Sequence, residues 1–215
     1  MGQITAARLP ARAAIAAAAL ALSTGAGLLA YFISRIALPL GVAVAFLATG
    51  TTFLVVWRKL PSQGRIIARS RAWAGLRAAA VATMAYDLTR FVAVHILGLH
   101  VNPFAALPLF GQALIGQTIP GSESIALGAV LHIANGIGFG IAYTMVAARA
   151  GVLGGVVWAL LLEALMLALY PGWLDIRAYG DFFSMSIMGH LAYGATLGWL
   201  SRRLVPASAL MASAS

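Results

Sequence analysis

The chain has 215 residues, of which 62% are hydrophobic and 9% are charged, whereas an ordinary soluble domain carries about 25% charged residues. This composition excludes a soluble globular enzyme, a disordered tail and a coiled coil, and it leaves a multi-pass membrane protein. The net charge of +9 comes from basic residues that lie mainly between apolar runs. It therefore indicates membrane orientation and anionic lipid as a partner, with no nucleic acid. Because cysteine is absent, disulfides, thiolate metal sites and cysteine nucleophiles are excluded.

Six apolar stretches follow one another along the chain, and each is long enough for a helix that crosses a bilayer at about 20 residues per span. We therefore predict an all-α fold, a polytopic α-helical membrane bundle forming one membrane domain over residues 1–215. A cleaved secretory signal is the alternative for the first stretch, but its apolar character continues to residue 33, which suits a span better. The predicted spans cover residues 13–33, 36–57, 76–98, 123–147, 151–170 and 184–204.

Three longer segments lie outside the predicted spans. Residues 58–77 carry six basic side chains, which predicts a basic cytoplasmic loop that contacts anionic lipids. Residues 99–122 are apolar but interrupted by proline and glycine, which predicts an outer interfacial or re-entrant loop. Residues 205–215 are rich in alanine and serine, and we expect this tail to be disordered.

The distribution of basic residues predicts how the chain is oriented in the membrane. With six spans, eleven of the fourteen basic residues fall on the side of the N terminus, two fall on the other side, and Arg90 lies within a span. Basic residues accumulate on the cytoplasmic side of membrane proteins. We therefore predict a multi-pass protein of the inner (cytoplasmic) membrane of a bacterium, with both termini in the cytoplasm.

The fourth and sixth spans share a pattern in which a histidine is followed by glycines at four-residue spacing, so that all three lie on one helical face. Each of these spans follows one that carries an acid, Asp87 on the third and Glu163 on the fifth. The unit thus occurs twice in one orientation, as a parallel repeat of spans 3–4 and 5–6 would require. Chance similarity between glycine-rich helices is the alternative. The residues that carry the pattern are His132, Gly136 and Gly140, and His190, Gly194 and Gly198.

The few ionisable residues inside spans are the candidates for a functional site, because a charge in the bilayer costs roughly 2.5–3.5 kcal/mol on insertion scales. We predict that they converge on one polar pocket in the outer half of the bundle. Glu163 and His190 would form a proton-responsive pair, because burial and pairing can bring the affinities of a carboxylate and an imidazole for protons together. Asp87 and Arg90 are three residues apart on one helix and can neutralise each other without any chemistry. The predicted pocket residues are Glu163, His190, Asp87, Arg90, His132 and Asn135.

The sequence supports three functional hypotheses and contains no enzyme motif, which favours a non-enzymatic role. The leading hypothesis is proton-linked binding or transport of a small polar ligand or ion in the pocket. The first alternative is a membrane redox protein in which His132 and His190 bind a b-type haem or a divalent metal. The second is a non-catalytic subunit or scaffold whose glycine faces, which also allow close helix packing, join a homo-oligomer or a larger membrane complex.

Overall fold

The computed structural model describes residues 9–116, 120–173 and 178–205, and it describes side chains in these ranges except at 170–173. The described residues form eight α-helices and no strand, which confirms the all-helical prediction. The predicted tail beyond residue 205 lies outside the described residues. The helices are α1 (Ala11–Ala21), α2 (Ser23–Ser34), α3 (Leu38–Arg58), α4 (Ser62–Leu97), α5 (Ala106–Ile115), α6 (Gly121–Ala147), α7 (Gly151–Trp173) and α8 (Tyr179–Leu204).

Four helices of the described part are long and apolar enough to cross a membrane, namely α3, α4, α6 and α7. The count rises to five if α1 and α2, which meet at an angle of 59°, are taken as one broken span. These apolar helices suggest a membrane-embedded protein. The predicted sixth span corresponds to α8, which does not reach the same apolarity because it carries serine, histidine and glycine along the face that it buries.

The first predicted span, residues 13–33, is bent at Leu22 rather than continuous. The hydroxyl of Ser23 donates to the carbonyl of Leu20 at 2.8 Å and lies 2.8 Å from the Thr49 hydroxyl on α3. A side chain that bonds to the preceding turn competes with the backbone bonds of the helix and commonly bends it. The bend therefore has a local cause in the sequence and is held by a contact with α3.

The basic segment 58–77 is not a loop from residue 62 onward, because α4 begins at Ser62 and continues for 36 residues. Residues on one face of this part of the helix are buried, including Ile67, Arg71 and Ala74. The Arg71 guanidinium donates to the carbonyl of Met145 at 2.9 Å, so this basic side chain packs against α6. The loop prediction is wrong from residue 62 onward, because the small and apolar residues between the basic ones form one buried face of a helix. Four basic residues of the segment remain exposed, namely Arg58, Lys59, Arg69 and Arg77.

The outer segment 99–122 contains the short helix α5, which packs closely on the beginning of α6. A Cβ built on Gly111 would lie 2.0 Å from the Ser124 carbonyl oxygen, and one built on Gly128 would lie 1.8 Å from that of Leu107. The two backbones therefore touch at two points, each with a glycine on one of the two helices. With ten residues, α5 is about 15 Å long, half the thickness of the bilayer core, so it cannot span.

The helices that carry the ionisable residues stand side by side in the order α7, α8, α4, α6. Within this row α8 packs on α7 and on α4, and α4 packs on α6, whereas α6 and α7 make only marginal contact. The bent pair α1–α2 covers the other side of α6, with α3 packed behind it. Small residues and tyrosines fill the core of the row, which lets α4, α6 and α8 approach closely: Ala78, Ala79, Ala82, Tyr86, Tyr143, Tyr193 and Leu197.

Candidate functional site

Asp87 on α4 faces His132 on α6 and forms the first of two acid–histidine pairs. The Nε2 atom of His132 lies 3.1 Å from both carboxylate oxygens of Asp87. Since a carboxylate only accepts hydrogen bonds, Nε2 carries the hydrogen and donates to both oxygens. Arg90, one turn further along α4, places its Nη1 atom 3.8 Å from Asp87 and donates its Nη2 hydrogen to the carbonyl of Pro103. This cluster is partly open, because 28% of the Asp87 side chain is exposed.

Glu163 on α7 faces His190 on α8 and forms the second pair, which is nearly inaccessible. The Nδ1 atom of His190 lies 2.7 Å from Oε2 of Glu163, and only 2% of the Glu163 side chain is exposed. The Ser186 hydroxyl donates to the same carboxylate oxygen at 2.9 Å. The buried carboxylate is thus held by two donors from α8 at one oxygen, while its Oε1 has no hydrogen-bond partner.

The hydrogen bonds of His190 fix which of its two ring nitrogens carries a proton. Nδ1 lies 3.0 Å from the Ser186 carbonyl oxygen as well as 2.7 Å from the Glu163 carboxylate. Both partners are acceptors, so Nδ1 is the donor and Nε2 of the neutral ring is left as an acceptor. His190 lines the central cavity.

Tyr86 connects the two pairs, and the sequence analysis did not identify it. Its ring packs edge-on against His190 with centroids 4.9 Å apart and against His132 at 5.8 Å. The Arg90 guanidinium lies over the same ring, 4.8 Å from its centroid. Ser186 was also missed, although it lies four residues before His190 and therefore on the same helical face. A search for polar residues at helical spacing from each histidine would have found it.

The two acid–histidine helix pairs use a similar register. On α4 the residues four and eight positions before Asp87 are Thr83 and Ala79, and a Cβ built on Gly136 or Gly140 would lie 2.3 Å from them. On α7 the residue four positions before Glu163 is Ala159, 2.8 Å from a Cβ built on Gly194, but the nearest atom to that Cβ is the Gly155 carbonyl oxygen at 2.5 Å. The α7–α8 contact is therefore displaced by part of a turn relative to the α4–α6 contact. The predicted glycines therefore pack each histidine helix onto the acid helix that precedes it, with histidine opposite acid in both cases.

A cavity of about 620 Å³ lies beside these pairs. Its polar wall comes from α4, α6 and α8, while α2, α5 and α7 contribute mainly leucine and phenylalanine. Glu163 is not on the wall and lies behind His190. Three wall side chains among the described residues have a buried polar atom without a hydrogen-bond partner: the Asn135 Oδ1, the Thr83 hydroxyl and the Arg90 Nε. The six predicted pocket residues thus lie on the cavity wall or directly behind it.

The α4–α5 loop, residues 98–105, covers one end of the cavity. Arg90 bonds to its Pro103 carbonyl from below. The backbone N–H of His100 donates to Asp181 at 2.7 Å, which connects the loop to the first turn of α8. Asp181 lies in the first turn of α8 but does not cap it, because the position before the helix is Ala178 and no side chain caps it. Asp181 therefore fastens the loop instead.

The remaining histidine, His95, is exposed and bonds to the carbonyl of Phe91 one turn earlier, away from the site. Within the described residues no group of three or more histidine and acidic side chains is arranged to hold a metal ion. Comparison of the chain with models of protein families, with curated proteins and with solved structures finds no match. The function is therefore argued from the site itself.

Proposed function

We propose that this protein is a small multi-pass membrane protein that binds a small ligand in the central cavity and couples its binding or transport to protonation of the acid–histidine pairs. The observation that carries the proposal is the convergence of two carboxylate–imidazole pairs on one cavity wall. A volume of about 620 Å³ falls within the usual range of small-molecule sites, roughly 300–1,000 Å³. Ionisable residues inside membrane proteins commonly mark pathways for protons or substrates.

The coupling follows from the position of the free ring nitrogen. When His190 takes a proton at Nε2, its positive charge is balanced behind the ring by Glu163 and faces the cavity in front. Tyr86 and Arg90 lie against the same ring from α4, so protonation also changes the field that they experience. A ligand in the cavity meets a different charge in the two states. Binding of ligand and of protons is therefore linked, and each affects the other equally.

The same proposal takes the chain as six spans with both termini in the cytoplasm and with α8 as the sixth span. A helix buried by neighbours on two sides contacts little lipid, so it needs less apolar surface than α3 or α7. The similar register of the α4–α6 and α7–α8 pairs supports the predicted parallel repeat. The contacts within the row favour a side-by-side arrangement of the two units, because α8 packs on α4 while α6 and α7 hardly touch.

The experiment uses the four histidines of the chain, observed by ¹⁵N NMR after selective labelling of histidine in detergent micelles. The proposal requires each of His132 and His190 to exchange between its neutral and its charged ring as the pH of the sample is varied. In Glu163→Gln we expect the His190 ring to stay neutral, because a buried imidazolium without its counter-charge is costly. Asp87→Asn should do the same to His132 alone.

The exposed His95 and His100 serve as internal controls and should titrate in every variant. Proton coupling at this site is refuted if His132 and His190 keep one protonation state over the whole range, or if they titrate identically in the wild type and in both variants. The haem alternative is tested on the same samples by visible absorption. A Soret band that disappears in both His132→Ala and His190→Ala would select it over our proposal.

A further inference from the structure

The walls of the cavity on α2 and α7 are apolar stripes at helical spacing. On α7 the stripe consists of residues at positions i, i+3, i+4 and i+7, which lie on one face. On α2 the cavity is lined along one face over three turns. No charged side chain belongs to either stripe. The stripe residues are Leu162, Leu165, Met166 and Leu169 on α7, and Leu22, Gly25, Ala26, Leu29 and Phe32 on α2.

The two stripes border a gap through which the cavity opens sideways. Helix α2 packs on α3 and α6, and α7 packs on α8, while α2 and α7 make at most marginal contact with each other in the described part of the chain. Leu165 lines the cavity and is nevertheless 51% exposed, and Ala26 on the opposite side is exposed as well. In a membrane this opening, which we call the α2–α7 portal, faces the lipid chains.

Each charge on the polar wall has a partner of opposite sign, and the hydrogen-bonding groups left over in the described part of the chain are two neutral ones and the buried Nε–H of Arg90, a donor. Asp87 is paired with Arg90 and His132, and the His190 ring is paired with Glu163 behind it. The buried Asn135 Oδ1 and Thr83 hydroxyl are without partners among the described residues, and both side chains line the cavity. Leaving a buried acceptor unpaired costs about 1–3 kcal/mol, so the wall is suited to a ligand that donates a hydrogen bond to Asn135.

We propose that the ligand is an uncharged amphiphile with a hydroxyl head and an apolar chain or ring, and that it enters from the bilayer through the α2–α7 portal. This inference rests on the proposed function only in taking the cavity as a ligand site. The hydroxyl donates to Asn135 and shares a bond with Thr83, while the apolar body lies between the α2 and α7 stripes. A charged head would lose its hydration on entering the cavity, and the described part of the wall has no charge without a partner of opposite sign to replace that hydration.

The test uses 1-dodecanol with a diazirine in mid-chain, added to the protein in phosphatidylcholine vesicles. After irradiation, mass spectrometry locates the labelled peptides. We expect saturable labelling of the α2 and α7 stripes that unlabelled 1-dodecanol competes away and that dodecanoate and dodecylammonium compete for far less well. Asn135→Leu should weaken the alcohol by roughly five- to tenfold, the loss expected for one hydrogen bond.

Two bulky substitutions test the entry route. Leu165→Trp and Ala26→Trp narrow the portal from opposite sides and should reduce labelling at short times after mixing about tenfold, which corresponds to 1.4 kcal/mol in the barrier to entry. Leu161→Trp is the matched control, because Leu161 is 61% exposed on the same helix but does not line the cavity. The inference is overturned if labelling falls equally in the control or in none of the three variants, or if either charged amphiphile competes as well as the alcohol.

The outcomes separate this inference from the proton-linked function. Saturable labelling by the alcohol together with histidines that never titrate would leave the amphiphile site standing and overturn the coupling. Histidines that titrate as expected, in a protein that the alcohol labels only without saturation, would overturn the amphiphile and the portal. Those results would leave the acid–histidine pairs as a proton site for a different ligand.

Discussion

Removing the Glu163 carboxylate should destabilise the protein strongly, and two substitutions separate loss of charge from loss of hydrogen bonding. Glu163→Leu leaves two donors, the Ser186 hydroxyl and the His190 Nδ1–H, without their common acceptor in a buried environment. Hydrogen bonds to a charged group contribute roughly 1.5–3 kcal/mol each. Two such bonds are lost, and breaking a buried charged pair costs about 3–5 kcal/mol. We therefore expect Glu163→Leu to lower the free energy of unfolding by about 3–5 kcal/mol.

Glu163→Gln keeps the shape of the side chain and an oxygen that can accept from Ser186 and His190. Only the assistance of the charge is lost, so we expect a decrease of about 1–2 kcal/mol. Glu123→Gln serves as the matched control, because Glu123 is exposed in the first turn of α6. This control should change stability by less than about 0.5 kcal/mol.

The assay is reversible unfolding of the purified protein by sodium dodecyl sulfate in mixed micelles, followed by circular dichroism and tryptophan fluorescence. The expected order of stability is wild type and Glu123→Gln, then Glu163→Gln, then Glu163→Leu. Equal stability of Glu163→Leu and the wild type would show that Glu163 is not held as a charged, bonded group. A stabilised Glu163→Leu would mean that desolvation of the carboxylate outweighs its bonds, and the argument for a maintained pair would fail.

Three further predictions concern packing, the α4–α5 loop and topology. Gly194→Leu should lower the free energy of unfolding by about 3 kcal/mol, because a Cβ at this position already lies 2.5 Å from a backbone oxygen of α7. Gly180→Ala is the control: a Cβ there meets nothing within 4 Å, and unfolding in sodium dodecyl sulfate should not change. Arg90→Met should accelerate amide hydrogen exchange in the α4–α5 loop by about tenfold or more, since a bond from a charged donor is lost; unchanged exchange would refute its role. Since the chain has no cysteine, single cysteines introduced by Gln63→Cys and Ser122→Cys report orientation. If there are six spans with both termini in the cytoplasm, an impermeant maleimide should label Ser122→Cys only from outside and Gln63→Cys only from the cytoplasm.

The sequence predicts the helical class and the residues worth testing because polar groups in apolar helices are scarce and costly. Asp87, Glu163, His132 and His190 stand out for that reason alone. The sequence predicts the Glu163–His190 pair, whereas it predicts Asp87 beside Arg90 and leaves the contact of Asp87 with His132 unpredicted. The register is predictable because glycine marks where two backbones approach. These features depend on one or two helices at a time, which is the range over which sequence patterns act.

Other features depend on how several helices combine and were not predicted. The bend at Leu22 needs the contact of Ser23 with α3, and the burial of Arg71 needs the carbonyl of Met145 on α6. In the sequence Tyr86 is one aromatic residue among several, and its role depends on two histidines from different helices that pack on its ring. The cavity and the α2–α7 portal exist because α2 and α7 do not pack on each other. No local sequence pattern predicts which helices stay apart.

The two acids differ in exposure, so water reaches one acid–histidine pair more directly than the other. Asp87 is partly exposed and Glu163 is almost completely buried, so a proton from water reaches the Asp87–His132 pair first. It reaches Glu163 only by way of the His190 ring, whose Nδ1 bond must break and re-form in the transfer. Under the proposed coupling, the Asp87–His132 pair would therefore respond to a change in pH before the Glu163–His190 pair does.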